Sequence, residues 1–486
     1  MHNDQIFVNP CKKLAPAANR PNLPIEPRAQ GKIYADVPLN FFADIDSLKN
    51  YVGELKSLGV NVLLILPHFM PGLSAYVVRD YEQPCPLFGT WEAFADFMLY
   101  VKDLGMDRMI DIPFNHADWQ VANLKRGWFK KHEAKGIEAG ADDEDADGNR
   151  VRINWGAYEL DNSNHELQNY WLEKVIFSHV EKLNVNAIRI DAAWGLDKKG
   201  LKHIVGETRR RFPHVWFLAE NLGMARLVKL AESSIAAGAQ RFFNNIYWYT
   251  GGVYIPADIY RFYKRSGGVP TCSIYSSHDT LMPAMKALAR VRSAEVKGLN
   301  DKAIVRKFVQ YEKLQSLRQL DLPTQSAVIE IMKLDFALSA LMSSDLMFAA
   351  GSERALFERI DVLRSGPTEF ARGIDSDLPQ FISEILQIKF SHRAFNCEGV
   401  VIPFGSWQTG KTGIRGYVKS LPDGSHAMVA VNSGKSSGSL KLPRRMRLAA
   451  KASVYAADGH YQCAVAELPA TIELKPGQIL ILLGEG

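Results

Sequence analysis

Carboxylates and imidazoles are the groups that hold and move protons during catalysis, and in this chain they recur where apolar runs end. Asp111 and His116 flank the end of one run, in Asp111-Ile-Pro-Phe-Asn-His116. Arg189 and Asp191 close a second, Ala187-Ile-Arg-Ile-Asp191, and Glu220 closes a third, Trp216-Phe-Leu-Ala-Glu220. His278 and Asp279 follow a fourth, Ser273-Ile-Tyr-Ser-Ser-His278-Asp279. A lone carboxylate after a strand is ordinarily a helix cap or a surface charge. Four such coincidences in one chain carry more weight. Arg189 is the most telling, because a guanidinium inside an apolar strand needs a partner when buried. Asp191 lies two residues away on the same strand face. The spacing therefore assigns Arg189 the task of keeping Asp191 ionised, since an opposite charge lowers a carboxyl pKa by about 1–3 units.

The elements that must position these groups follow from periodicity. Ile33 to Val37 reads as a strand, and Asp44 to Leu58 as a helix with Ile45, Leu48, Val52 and Leu55 at helical spacing before Gly59 stops it. Val60 to Leu66 is almost continuously apolar, as in a strand buried on both faces. The alternation repeats with a helix over Trp91–Leu104, a strand over Arg108–Pro113, a helix over His165–Lys182 and a strand over Asn186–Ile190. A helix over Lys199–Arg211 and a strand over Val215–Ala219 continue it. Gln240–Asn244, Cys272–Ser276 and Leu346–Ala349 complete a set of eight strands, and Pro283–Met342 reads as helical. Repeated strand–helix units at this length predict an α/β fold, a closed (β/α)8 barrel whose active site lies at the carboxyl ends of the strands. The predicted barrel spans residues 1–116 and 165–398. Residues 117–164 break the alternation and form a small inserted subdomain after the third strand. From residue 399 to 486, short strands and turns (Pro422-Asp423-Gly424, Asn432-Ser433-Gly434, Asp458-Gly459, Lys475-Pro476-Gly477) predict a C-terminal antiparallel β-sandwich.

These segments resemble the four signature regions of the α-amylase superfamily (glycoside hydrolase family 13), in order and at fitting spacings. Tyr76-Val-Val-Arg-Asp80 is similar to a fifth feature of that family, with Ala75 where the pattern has glycine. The resemblance covers roughly residues 31–395. It implies a retaining α-glycoside hydrolase or transglycosylase acting on α-glucans or maltooligosaccharides through a covalent glycosyl-enzyme. By the same resemblance Asp191 is the nucleophile, Glu220 the general acid/base and Asp279 the third carboxylate. Retaining chemistry needs its two carboxyl groups roughly 5–5.5 Å apart, and the apolar strand before Glu220 is expected to raise its pKa toward the working range. The resemblance further implies that Tyr76, Asp80, His116, Arg189 and His278 bind substrate, while Asp111 supports the rim.

Departures from the family pattern narrow the expectation. Trp194 and Gly195 stand where many α-amylases have Lys-His, so an aromatic platform is expected on the aglycone side. Trp194 thus joins the substrate-binding set and favours transfer over plain endo-hydrolysis. Ser277 replaces an asparagine before His278. The resemblance implies no required cofactor, but Asn115 matches the position of a calcium ligand and Glu159 falls near a second, so Ca is a candidate metal. Asp143-x-Asp145-x-Asp147-Gly148 resembles the first half of a calcium loop, but Asn154 stands where the closing Glu belongs, which favours a solvated hairpin turn.

Bulk properties exclude other classes. Hydrophobic residues make up 47% and charged residues 23% of the 486, a globular balance. The formal net charge of +5 is spread out, with only short runs such as Arg209–Arg211 and Arg444-Arg445, so no nucleic-acid partner is expected. Five scattered cysteines (Cys11, Cys85, Cys272, Cys397, Cys463) signal neither a disulfide framework nor a zinc site. The absence of a membrane span or a secretory signal in this sequence predicts a cytoplasmic protein. A catalytically inactive amylase-like scaffold is the alternative function, disfavoured because all three carboxylates are present. An unrelated barrel enzyme would want a strand-end lysine or a His-x-His pair, and neither occurs at the expected places.

Overall fold

The computed structural model describes residues 31–132, 135–221, 227–244, 263–264, 266, 268–362, 365–405, 413–442, 451–456, 459–463 and 469–484. Cys11, Arg444, Arg445 and Asp458 lie outside the described residues. Eight parallel strands close into a barrel in chain order. They are β1 (Ile33–Val37), β2 (Val62–Ile65), β3 (Asp107–Ile112), β4 (Ala187–Ile190), β5 (Trp216–Ala219), β6 (Arg241–Phe243), β7 (Thr271–Ile274) and β8 (Asp345–Ala349), with β8 pairing back to β1. Burial on both faces is why these runs read as continuous Val, Ile and Leu. The few charges inside them therefore mark polar layers. At the amino end, Arg241 bonds both oxygens of the buried Asp345, at 2.6 and 2.5 Å, and the Tyr34 hydroxyl donates to the same carboxylate at 3.1 Å. At the carboxyl end, the β3–β4 register sets Asp111 directly beside Arg189.

Helices cover the barrel much as the spacing predicts. The first, Ile45–Leu58, is capped by the Asp44 side chain on the Ser47 N–H and stopped by Gly59 at φ 107°, where a side chain would be strained. Its Leu48, Tyr51, Val52 and Leu55 face the core. The predicted helix over 165–182 is interrupted by a π-helical segment at Trp171–Ile176, a widening of the helical turn that apolar spacing does not signal. The stretch after β7 holds Pro283–Val291, a short arm at Asp301–Tyr311 and the long helix Leu322–Met342. That last helix is buried along its second half because it lies between the barrel and the C-terminal domain: Leu338 accepts from the Tyr417 hydroxyl at 3.0 Å and Asp335 from Arg415 at 2.8 Å.

The excursion after β3 is a long hairpin, Glu138–Glu144 against Arg150–Glu159, rooted on the two-residue strand His116–Ala117. The C-terminal domain is a six-stranded antiparallel sheet with a two-stranded ribbon, Gly438–Lys441 and Thr471–Leu474. Met428, Ala430, Leu480 and Leu482 pack with Leu440 and Leu474 of the ribbon, making a lopsided sandwich. The alternate residues Val429, Val431, Ile479 and Ile481 join the barrel core. Among the described residues no helix is long and apolar enough to cross a membrane.

Candidate active site

Arg189, fully buried on β4, organises the site. Its Nη1 pairs with Asp111, reaches Asp191 Oδ1 at 3.3 Å and donates to the Tyr76 hydroxyl at 3.2 Å. Its Nη2 lies 3.1 Å from Glu220 Oε2. One guanidinium thus holds three carboxylates, each at the end of a different strand. Immediately after Asp191 the backbone turns sharply: Ala192 adopts φ 44°, a left-handed conformation that costs a residue with a Cβ roughly 1–2 kcal/mol. The strain has a use, because the Ala192 N–H donates to Glu220 Oε2 at 2.6 Å. Glu220 is fastened in turn by its own N–H on the Ile190 carbonyl, at 3.1 Å.

The expected pairing of Arg189 with Asp191 is present, but Arg189 is shared with Asp111 and Glu220. Cross-strand register gives Arg189 first to Asp111, which burial pushes up to about 6 against the pull of Arg189 and the Tyr76 hydrogen bond (2.6 Å). Burial, then the charge of Glu220, pushes the Asp191 carboxyl well above the ordinary carboxylate range, and Arg189 opposes this only in part. Among the described residues, Asp111, Asp191 and Glu220 share Arg189, while Asp279 and Asp36 share His278. Asp111 is fully buried and bonded within the rim, which matches its expected supporting place.

On the opposite side His278 is clamped by a residue that sequence reasoning missed. The Asp36 Oδ2 at the end of β1 accepts from the His278 backbone N–H at 2.8 Å and meets its Nδ1 at 2.9 Å. The other ring nitrogen lies 3.2 Å from Asp279 Oδ2. Burial pushes the imidazole down, but Asp279 and Asp36 outweigh it and bring His278 up to about 9. Burial likewise pushes Asp279 up, and His278, Arg189 and Arg359 together leave it below its ordinary value. The signal for Asp36 was available: like Arg189, it is a charge inside a wholly apolar strand, Ile33-Tyr-Ala-Asp36-Val.

Tyr76 lies flat on the His278 ring, with centroids 5.1 Å apart and planes at 19°. His116 is buried beside Trp155, at 5.2 Å, and its Nδ1 has no hydrogen-bond partner. Burial brings His116 down to about 4, a neutral ring despite a pull upward from the Tyr76 backbone. Trp194 stands in the turn after Asp191 and is 45% exposed. Asp80 is not brought to the cluster: its Oδ1 accepts from the Glu82 N–H at 2.7 Å, and its charge acts on Tyr170 with that of Glu82.

Asn115 and Glu159, the candidate calcium ligands, have protein partners in this structure. The Glu159 carboxylate pairs with Lys130 at 3.0 Å, and the Asn115 carbonyl accepts from the Leu160 N–H at 2.9 Å. The Asp143–Gly148 turn is occupied as well: Asp145 accepts from Asp147 N–H and Asn149 N–H, at 2.8 and 2.9 Å, and Gly148 takes φ 83°. A cavity of about 820 Å³ opens at the far, amino-terminal end of the barrel, lined by Lys32, Asp107, Trp216, Arg241 and Glu398. It includes none of the residues above and is not the catalytic site.

Comparison with known proteins gives partial sequence matches and a likeness of fold over nearly the whole chain. No family model matches the chain. A probable oligo-1,6-glucosidase 3 from Bacillus subtilis (strain 168) is 24% identical over 188 residues, covering 32% of this chain and 32% of the relative. An intracellular maltogenic amylase from the same strain is 26% identical over 198 residues, covering 38% of this chain and 32% of the relative. The matched stretches thus span about a third of the length of these curated relatives. Among solved structures, an α-amylase from Geobacillus thermoleovorans superposes with TM-score 0.66 at 14% identity, covering 94% of this chain and 98% of the other. A noncanonic maltogenic α-amylase from Thermotoga neapolitana gives 0.65 at 16%, covering 93% and 98%. The fold is the barrel-plus-sheet architecture of the α-amylases. Sequence likeness and fold agree on the α-amylase superfamily.

Proposed function

We propose that the protein is a retaining α-glycoside hydrolase or transglycosylase acting on α-glucans and maltooligosaccharides. The observation that carries this reading is the pair Asp191 and Glu220 on the two nitrogens of one buried guanidinium, with Asp279 and His278 facing them. Asp191 attacks the anomeric carbon while Glu220 protonates the departing glycosidic oxygen, and a covalent glycosyl–Asp191 ester forms. Glu220, now a carboxylate, then takes a proton from water or from a sugar hydroxyl that attacks the ester. Water gives hydrolysis and a sugar gives transfer.

Protonation is a property of the pair rather than of either residue. The reaction as proposed starts with the proton on the acid/base Glu220 and the negative charge on the nucleophile Asp191. The Ala192 N–H holds the Glu220 carboxyl in place through its change of role. His278, fixed between Asp36 and Asp279, and neutral His116 beside Trp155 line the place of the sugar ring at the cleaved bond. Asp279 faces the positive charge that develops on the ring in the transition state. No metal or cofactor enters these steps. The names of the relatives, a glucosidase and an intracellular amylase, support an α-glucan substrate and a cytoplasmic setting.

Chromatography of products from maltooligosaccharides, beside an Asp191→Asn control, tests the reading. Longer and shorter oligosaccharides together mean transfer, and short products alone mean hydrolysis. Unchanged substrate across maltooligosaccharides and other α-glucosides would overturn it.

A further inference from the structure

The hairpin after β3 does more than cover the barrel. Its root lies at the site, since Glu159 pairs in register with His116. Its middle rests on the excursion after β2: Val77 packs with Ala139 and Ala157, and Trp155 covers them. Gly156, at φ 74°, lies against the end of the exposed Leu73 side chain, which an added Cβ would approach to 2.6 Å.

Its tip is tied down on the arm that follows β7. Lys302 Nζ bonds Asp143 Oδ2 at 2.6 Å, and the Asn300 side-chain amide donates to the Asp145 carbonyl at 2.7 Å. Arg306 grips Asp147 with both nitrogens, at 2.5 and 3.1 Å, and also reaches the Ala146 carbonyl at 3.3 Å. Between hairpin and site stands Arg359, from the segment after β8, which donates to the Asp279 carbonyl at 3.0 Å and whose charge acts on Asp143.

The third and seventh strands of an eight-strand ring stand opposite each other. A hairpin rooted on one, resting on the β2 excursion and tied to the other, crosses the mouth on the side of Tyr76, His116, His278 and Asp279. In the proposed reaction these four hold the sugar whose bond is cleaved. The other side, after β4 and β5, carries Trp194 and Glu220, and the hairpin contacts described above do not extend to it. We propose that this clasp closes the glycone side of the cleft, so that the enzyme takes the free non-reducing ends of glucan chains and leaves interior bonds uncut. The inference rests on the glycosidase reading above and adds to it which substrates are admitted. The ion pairs made by Lys302 and Arg306 are partly exposed, so salt screens them, and reversing the sign at Arg306 removes the most extensive of the ties and sets a repulsion against Asp147 in its place.

Two nitrophenyl maltooligosides distinguish the outcomes, one with its non-reducing end free and one with that end blocked by an acetal across the terminal 4- and 6-hydroxyls. The native protein is expected to favour the free substrate by at least ~100-fold in kcat/KM, a difference in transition-state binding imposed by the wall. Arg306→Asp repels Asp147 and opens the clasp, raising turnover of the blocked substrate ~10-fold while the free one changes little. The charge swap Asp147→Arg with Arg306→Asp restores the pair and the original preference. Equal turnover of both substrates by the native protein, or a preference that Arg306→Asp leaves unmoved, overturns the inference alone. Turnover of neither substrate overturns the glycosidase reading and this inference with it.

Discussion

Replacing Arg189 with leucine removes the guanidinium bonded to Asp111, Asp191 and Glu220 and leaves three buried carboxylates around an apolar side chain. Breaking a buried ion pair by deleting one partner costs roughly 3–5 kcal/mol, because the surviving charge stays desolvated. The cluster lessens that cost by taking up protons. A neighbouring cation lowers a carboxyl pKa by about 1–3 units, and its loss raises it by the same amount. Asp191, already held above the ordinary range, would titrate higher still. Since Asp191 must be ionised to attack, the acidic limb of kcat/KM moves up by about 1–3 pH units, a loss of ~10- to 1000-fold at a fixed pH on that limb. Arg189→Lys keeps the charge but cannot span Asp111 and Glu220 with two nitrogens, so it falls between wild type and leucine. The assay is kcat/KM for an aryl α-glucoside between about pH 4 and pH 9, with urea unfolding alongside. A folded Arg189→Leu protein whose acidic limb has not moved would refute the assignment.

Other perturbations have separate signatures. His278 is raised in the folded state to about 9 from 6.5, so its contribution is complete below pH 6.5 and lost as pH climbs through 9. That interval corresponds to roughly 3 kcal/mol, and urea unfolding of His278→Gln should lack the alkaline decline that the native protein shows. His116 is lowered to about 4, so the fold loses stability as pH falls from 6.5 toward 4, and His116→Asn should flatten that acid slope in thermal melts. Trp194→Ala, which removes an exposed aromatic surface beside Asp191, should raise KM for a sugar acceptor ~10-fold while hydrolysis of an aryl glucoside changes little, as read from initial rates. Because Lys130 already neutralises Glu159, treatment with EDTA should leave the melting temperature and the turnover unchanged.

Much of this fold is legible in the sequence because a barrel strand is buried on both faces and cannot hide its composition. Val62–Ile65 and Ala187–Ile190 are examples, and the predicted boundaries fall within a residue or two of those found. The residues of the rim were legible for the same reason: a charge in or after such a run has few structural excuses. Asp36 carried that signal and was passed over, because no carboxylate or imidazole near it in sequence suggested its partner, 242 residues away. The division of Arg189 among its acids was hidden, since it depends on the β3–β4 register rather than on the two-residue spacing to Asp191. Asp80, a motif position, accepts a local hydrogen bond from Glu82 in its own strand, which its place in the motif does not signal. The clasp joins residues 155–160 apart, and an acidic turn gives no hint of the arm that meets it.

The central claim, that Asp191 forms the glycosyl ester, is open to direct trapping. In Glu220→Gln, α-glucosyl fluoride still glycosylates the nucleophile because fluoride departs without a general acid, while removal of the sugar stalls without the base. Mass spectrometry of a protease digest should find one hexosyl group on the peptide containing Asp191, and Glu220→Gln combined with Asp191→Asn should carry none. A sugar on another carboxylate, or an unlabelled Glu220→Gln protein when the native enzyme consumes the same fluoride, would contradict the account.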